Sequence, residues 1–129
     1  MASKYVGQRA ARQQKFKRIQ FGRFDARIVG LQHCNGHRYW NDLAVGSTVY
    51  LERDPTNAHD SNAIGVYVWD GAEYQRVGFV EKAVAMNLAR ELDKGFEVEA
   101  MVTRRNDAAD YYNQVGASIA LYAYLPAQE

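Results

Sequence analysis

The stretch Thr48–Trp69, TVYLERDPTNAHDSNAIGVYVW, decides how this chain folds. Its two ends alternate. Val49 and Leu51 fall on one face with Thr48, Tyr50 and Glu52 on the other, and Ile64, Val66 and Val68 repeat the pattern. A period of two marks a half-buried strand, because successive side chains point to opposite sides of a sheet. Between the two strands lie the ten residues Arg53–Asn62, rich in Asp, Asn and Ser. A hairpin loop commonly takes about 2–5 residues, so this loop exceeds what a chain reversal requires. Long ordered loops on a rigid sheet are where binding groups sit.

The same periodicity recurs on either side. Phe96, Val98, Ala100 and Val102 alternate with Glu97, Glu99, Met101 and Thr103. Ile119, Leu121 and Ala123 alternate with Ala120, Tyr122 and Tyr124. Ala26–Leu31 and Arg76–Val80 are shorter strand candidates, and Asn35-Gly36, Asp70-Gly71 and Asn106-Asp107 supply turn chemistry. One helix is predicted from about Glu81 to Lys94. Val84, Leu88 and Leu92 form its apolar stripe, Ala85 and Ala89 flank it, and Arg90, Glu91 and Lys94 face away. Glu81 suits the positive end of that helix, and Gly95 suits its stop. About five or six strands with one main helix predict a mainly β (α+β) domain, a small curled sheet or barrel with the helix packed against it as a plug. Alternating strands and helices, and a glycine-rich phosphate loop, are both missing, which excludes a Rossmann-type nucleotide fold.

Length and composition set the outer bounds. At 129 residues, 47% hydrophobic and 24% charged, the chain is one globular domain and not a disordered or fibrous segment. No apolar run approaches the roughly 20 residues of a membrane span. The N-terminal MASKYVGQRAAR lacks the apolar core of a signal peptide. The single cysteine, Cys34, forbids an internal disulfide and points to a reducing cytoplasmic compartment. A net charge of +1 hides a split: residues 1–40 carry nine Lys/Arg and one acid, net +8, whereas residues 41–129 carry seven bases and fourteen acids, net −7. Residues 1–24 read as a basic arm and residues 25–129 as the folded body.

Within the long loop, Asn57, Asp60 and Asn62 suit Asx turns that cap their own backbone. Asp60 is equally suited to accept a hydrogen bond from a ligand hydroxyl, with His59 beside it as a flat surface for stacking. Here the sequence resembles a known family. An apolar strand, then Arg53-Asp54-Pro55-Thr56-Asn57-Ala58-His59-Asp60-Ser61-Asn62-Ala63-Ile64, with Ile28-Val29-Gly30-Leu31 before it and Val77-Gly78-Phe79-Val80 after it, is similar to the HIRAN domain pattern over about residues 26–104. HIRAN domains head SNF2-type, fork-remodelling DNA translocases and also occur as small separate proteins in bacteria and phages. The resemblance implies an OB-like β-barrel that captures single-stranded DNA, in particular a free 3′-hydroxyl end.

Carried over by position, the resemblance gives Asp60 the terminal 3′-hydroxyl, which an acceptor-only carboxylate suits and a 3′-phosphate does not. His59 replaces a family tyrosine that packs on the terminal nucleotide, with less stacking area. Asn57 matches a loop asparagine and Lys82 a phosphate-binding lysine at the start of the helix. Arg53 joins them as a DNA-binding candidate. Phe79 occupies a His/Tyr position and reads as a core residue or a base platform. One departure matters: where fork-remodelling members carry Arg-Tyr, this chain has Gln32-His33, which should weaken binding by about 1–3 kcal/mol. His33 keeps a place among the DNA-binding candidates, and Tyr39, Trp40, Tyr111 and Tyr112 could supply replacement rings.

Other chemistries fare worse. Cys34-x-x-His37 has metal-finger spacing but lacks a second ligand pair. His59-Asp60 lacks a nucleophile in a recognisable setting. The resemblance therefore implies a non-enzymatic module without cofactor or metal, binding single-stranded DNA or DNA 3′ ends in repair or replication processing. Its expected location is cytoplasmic, nucleoid-associated in a bacterium or phage, and it has no membrane partner. The alternative is a protein partner of phage or mobile-element type on the same scaffold, favoured by Gln32-His33 and by the acidic body. The sequence assigns no oligomeric state.

Overall fold

Strands whose inner positions are all apolar can bury them by curling into a closed sheet, and this chain does so. The computed structural model describes residues 20–36, 38–106 and 116–124. Its elements are β1 (Gln20–Val29), β2 (Thr48–Arg53), β3 (Ile64–Trp69), β4 (Tyr74–Val80), α1 (Lys82–Asp93), β5 (Glu97–Asn106) and β6 (Gly116–Tyr124). The strands form a closed antiparallel barrel in the order β1-β4-β3-β2-β5-β6. Val49, Ile64, Val66, Val68, Val77, Val102, Ile119 and Leu121 fill the interior and are essentially inaccessible. No described buried residue is polar or charged.

The helix plugs the barrel with Ala85, Leu88 and Ala89, while Val84 and Leu92 pack at its margin. Gly95, at φ 94°, ends it, and the Phe96 N–H turns back to the Glu91 carbonyl at 3.1 Å. At the other end Glu81 departs from expectation. No side chain caps the helix, and the Glu81 carboxylate instead accepts the backbone N–H of Arg27 at 2.6 Å. The Glu81 N–H donates in turn to the Arg27 carbonyl at 3.0 Å. This acid thus ties the β4–α1 junction to β1, whose pairing with β4 is otherwise Ile28↔Val80 and Val29↔Phe79.

The first strand also differs from its predicted bounds. It begins at Gln20 and pairs with β6 along most of its length. It stops at Val29 because Gly30 adopts φ 75°, which sends the buried Leu31 into a 3-10 turn, Leu31–His33, and out of the sheet.

The β3–β4 hairpin turns on Asp70. Its Oδ1 accepts the N–H groups of Ala72 and Glu73, each at 2.8 Å, and its Oδ2 accepts Gln75 Nε2 at 3.0 Å. The backbone bond from Glu73, then that from Ala72, holds the Asp70 carboxyl below its usual range. A folded-state value below the unfolded one adds stability that is complete above about pH 4 and lost as pH falls through the depressed value. The stability difference between wild type and Asp70→Asn should accordingly shrink between pH 6 and pH 3 in urea titrations. A difference that holds constant with pH would remove the carboxylate from the turn's energetics.

Candidate functional site

The loop between β2 and β3 holds its own shape. Asp54 N–H bonds the Ala63 carbonyl at 2.9 Å and Ala63 N–H bonds the Asp60 carbonyl at 3.0 Å, closing its base. Asn57 sits at its centre. The Asn57 Oδ1 accepts the N–H groups of His59 (2.9 Å) and Asp60 (3.1 Å), and its Nδ2 donates to Asp54 Oδ2 at 3.1 Å. Asp60 Oδ1 accepts Asn62 N–H at 2.9 Å. The Asx-turn chemistry legible in the sequence is therefore present, and it presents the remaining groups. Asp60 Oδ2 has no protein donor among the described residues.

Arg53 works behind the loop. Its guanidinium forks onto Asp93 at 3.0 and 3.3 Å and donates to the Ala63 carbonyl at 2.9 Å. At 17% side-chain exposure it joins the end of α1 to the loop's exit.

Against this loop lies a pocket of about 260 Å³. One wall is apolar, from Val29, Ala63, Phe79 and Val80; the other is polar, from Asn57, His59, Asp60 and Lys82. Pockets for whole drug-sized ligands run to about 300–1,000 Å³, so this one is smaller than a site for such a ligand. Lys82 is the first residue of α1, whose opening turn contains no acid. The N–H groups of Val84 and Ala85 bond the Glu81 carbonyl, leaving those of Lys82 and Ala83 without an intrahelical acceptor. Asp60, Lys82 and with it the first residue of a helix thus line one small cavity.

The sequence candidates divide. Asn57, His59, Asp60 and Lys82 come together; Arg53 does not line the pocket. His33 is exposed in the Leu31–His33 turn and is not among the lining residues. That turn borders the pocket, since a Cβ on Gly30 would lie 3.8 Å from the Phe79 ring. Tyr111, Tyr112, His37 and residues 1–19 of the basic arm lie outside the described residues. Tyr39 and Trp40 pack against the core, with the Arg105 guanidinium 4.2 Å from the Trp40 ring centre. No three His, Cys, Asp or Glu side chains gather as a metal site among the described residues. No helix among them is long and apolar enough to cross a membrane.

Two features go beyond the sequence reading, which left Phe79 as a core residue or a base platform. A register shift between Val66 and Tyr67 lets Val77 and Val80 both point inward while Phe79, paired with Gly65, points outward to the pocket. The shift also places Arg76 with its guanidinium 4.9 Å from the Phe79 ring centre. Beside it the Tyr67 phenol is pushed above its usual range, chiefly by burial and then by the Glu52 carboxylate, with Arg76 opposing. Strict strand alternation carries no sign of either.

Comparison with known proteins bears on the whole assembly. The family model of the HIRAN domain matches residues 21–123. The crystal structure of the HIRAN domain of human HLTF superposes with a TM-score of 0.65 at 26% identity, covering 84% of this chain and 80% of that one. A protein from Lactobacillus plantarum superposes with a TM-score of 0.64 at 21% identity, covering 84% of this chain and 96% of that one. A search of curated proteins found no match.

Proposed function

From the premise that this chain belongs to the HIRAN domain family, we propose that it is a DNA-binding module that holds the free 3′-hydroxyl end of a single strand in the Asp60 pocket. The observation that carries this reading is the meeting of Asp60 and Lys82 in one cavity with an apolar wall. Each part has a task. Phe79 and Val29 offer apolar surface to the terminal base or sugar, and His59 offers an imidazole face. The Asp60 carboxylate accepts the hydroxyl and repels a terminal phosphate. Lys82 and the first N–H groups of α1 receive the phosphate one step inward. The activity proposed is binding, in the service of repair or replication processing.

Competition for a labelled single strand tests this reading. Unlabelled linear single strands should compete, whereas circular single strands of the same sequence, which have no end, should compete at least tenfold more weakly. Equal competition by the circle would set the end-capture reading aside.

Residues 1–19 carry six Lys/Arg and no acid, and their place on the bound strand is to neutralise phosphates that an acid-rich body attracts poorly. Deleting them should lower the log–log salt slope by roughly 0.7 for each single-strand phosphate the arm neutralises. An unchanged slope would take the arm off the DNA.

A further inference from the structure

We propose that the outer face of β2, β3 and β4 is a stacking track for the nucleotides upstream of the captured end, a second surface for single-stranded DNA continuous with the pocket. This inference rests on the end-binding reading above for its starting point. Register pairs lay out three rows. Phe79 and Gly65 form the row at the pocket, Arg76, Tyr67 and Tyr50 the next, and Tyr74 with Trp69 the third. Outward residues on a strand repeat every second position, so successive rows stand about 6.6 Å apart.

The rows touch. The Arg76 guanidinium lies over the Phe79 ring at 4.9 Å. Tyr50 meets Tyr74 edge-on at 4.9 Å, and Tyr74 meets Trp69 at the same distance. Gly65 makes the junction possible, because a Cβ there would come within 2.9 Å of the Tyr67 ring and 3.4 Å of Arg76 Cδ. At the far end Trp69 is 47% exposed, a large ring held in water at the tip of a rigid hairpin. Aromatic rings in succession with an arginine among them are what a single strand uses for base stacking without sequence readout.

Charge decides how such a track would work. Glu52 and Asp54 flank Tyr67, and Asp54 Oδ2 stands 3.9 Å from Arg76. With acids beside Arg76, the face attracts phosphate poorly, so stacking must supply the affinity. The share of the gain that these rings supply should therefore depend little on salt, by at most about 0.7 in log–log slope for one phosphate.

The test compares thymidine dinucleotides and hexanucleotides, both with free 3′-hydroxyls, on wild type, Trp69→Ala and Trp69→Phe. Stacking is worth roughly 5- to 100-fold per base. The hexanucleotide should bind wild type at least about fivefold more tightly than the dinucleotide. Trp69→Ala should erase most of that gain while leaving dinucleotide affinity unchanged, and Trp69→Phe should restore much of it. A hexanucleotide gain that Trp69→Ala leaves intact overturns the track. If the gain behaves as expected but 3′-hydroxyl and 3′-phosphate strands bind alike, the track stands and the end pocket falls. If neither oligonucleotide binds, both fall.

Discussion

Asp60→Asn should bind strands ending in a 3′-phosphate almost as well as strands ending in a 3′-hydroxyl. The substitution is chosen to keep the loop. Asp60 Oδ1 accepts the Asn62 N–H at 2.9 Å, and an amide oxygen can accept the same bond. What disappears is the negative charge facing the pocket. A hydrogen bond to a charged group is worth about 1.5–3 kcal/mol, so affinity for the 3′-hydroxyl strand should drop roughly 10- to 100-fold. Affinity for the 3′-phosphate strand should rise as repulsion is relieved and the new amide donates to phosphate. Anisotropy with the two oligonucleotides reads both changes. A variant that keeps a strong preference for the hydroxyl end would show that Asp60 is not the discriminating group.

Gly78→Ala should strongly destabilise the barrel. A Cβ at Gly78 would stand 2.6 Å from the Val29 carbonyl oxygen and 2.7 Å from Ile28 Cγ2. The first of these is backbone, and it cannot retreat without parting Ile28↔Val80 and Val29↔Phe79, the pairs that join β1 to β4. Overpacking of this kind costs about 3 kcal/mol, a fall in melting temperature on the order of 10 °C. The strain also reaches Val29, Phe79 and Val80, three residues of the pocket wall, so binding should weaken in whatever fraction remains folded. Gly46→Ala is the matched control: that glycine has φ 93° but no atom within 4 Å of an added Cβ. It should lose about 1 kcal/mol to backbone strain alone. Equal losses at the two glycines would show that crowding against β1 is not the cause.

The parts of this molecule governed by local chemistry were legible in the sequence. Alternation at Val49–Leu51, Ile64–Val68 and Ile119–Ala123 marks the barrel strands, because burying one face constrains every second residue. Asn57 and Asp60 announced their turns, because Asx geometry is set within three residues. The helix fell within a residue of its expected ends. Interactions set by distant sequence were not legible. Glu81 sat in the right place for a helix dipole, yet its carboxylate is fifty-four residues from the Arg27 N–H it accepts. Arg53 carried the charge of a phosphate ligand, and only the fold brings Asp93 to its guanidinium, forty residues away. Phe79 turned outward through a register shift that alternation cannot encode. Resemblance to HIRAN domains led to the expectation that Arg53, Asn57, His59, Asp60 and Lys82 line one site, and all but Arg53 line the pocket; Phe79 was left as core or platform, and Val29, Ala63 and Val80 beside it were not anticipated.

The central claim is that a free 3′-hydroxyl is held at Asp60, and amide chemical-shift mapping with a matched pair of dinucleotides tests it most directly. One carries a 3′-hydroxyl and its twin a 3′-phosphate. The first should shift the amides of residues 57–62, of Lys82 and Ala83 and of Phe79, and the second should leave them nearly still at equal concentration. Shifts that miss the Asp60 loop, or that are the same for both ends, would contradict the claim.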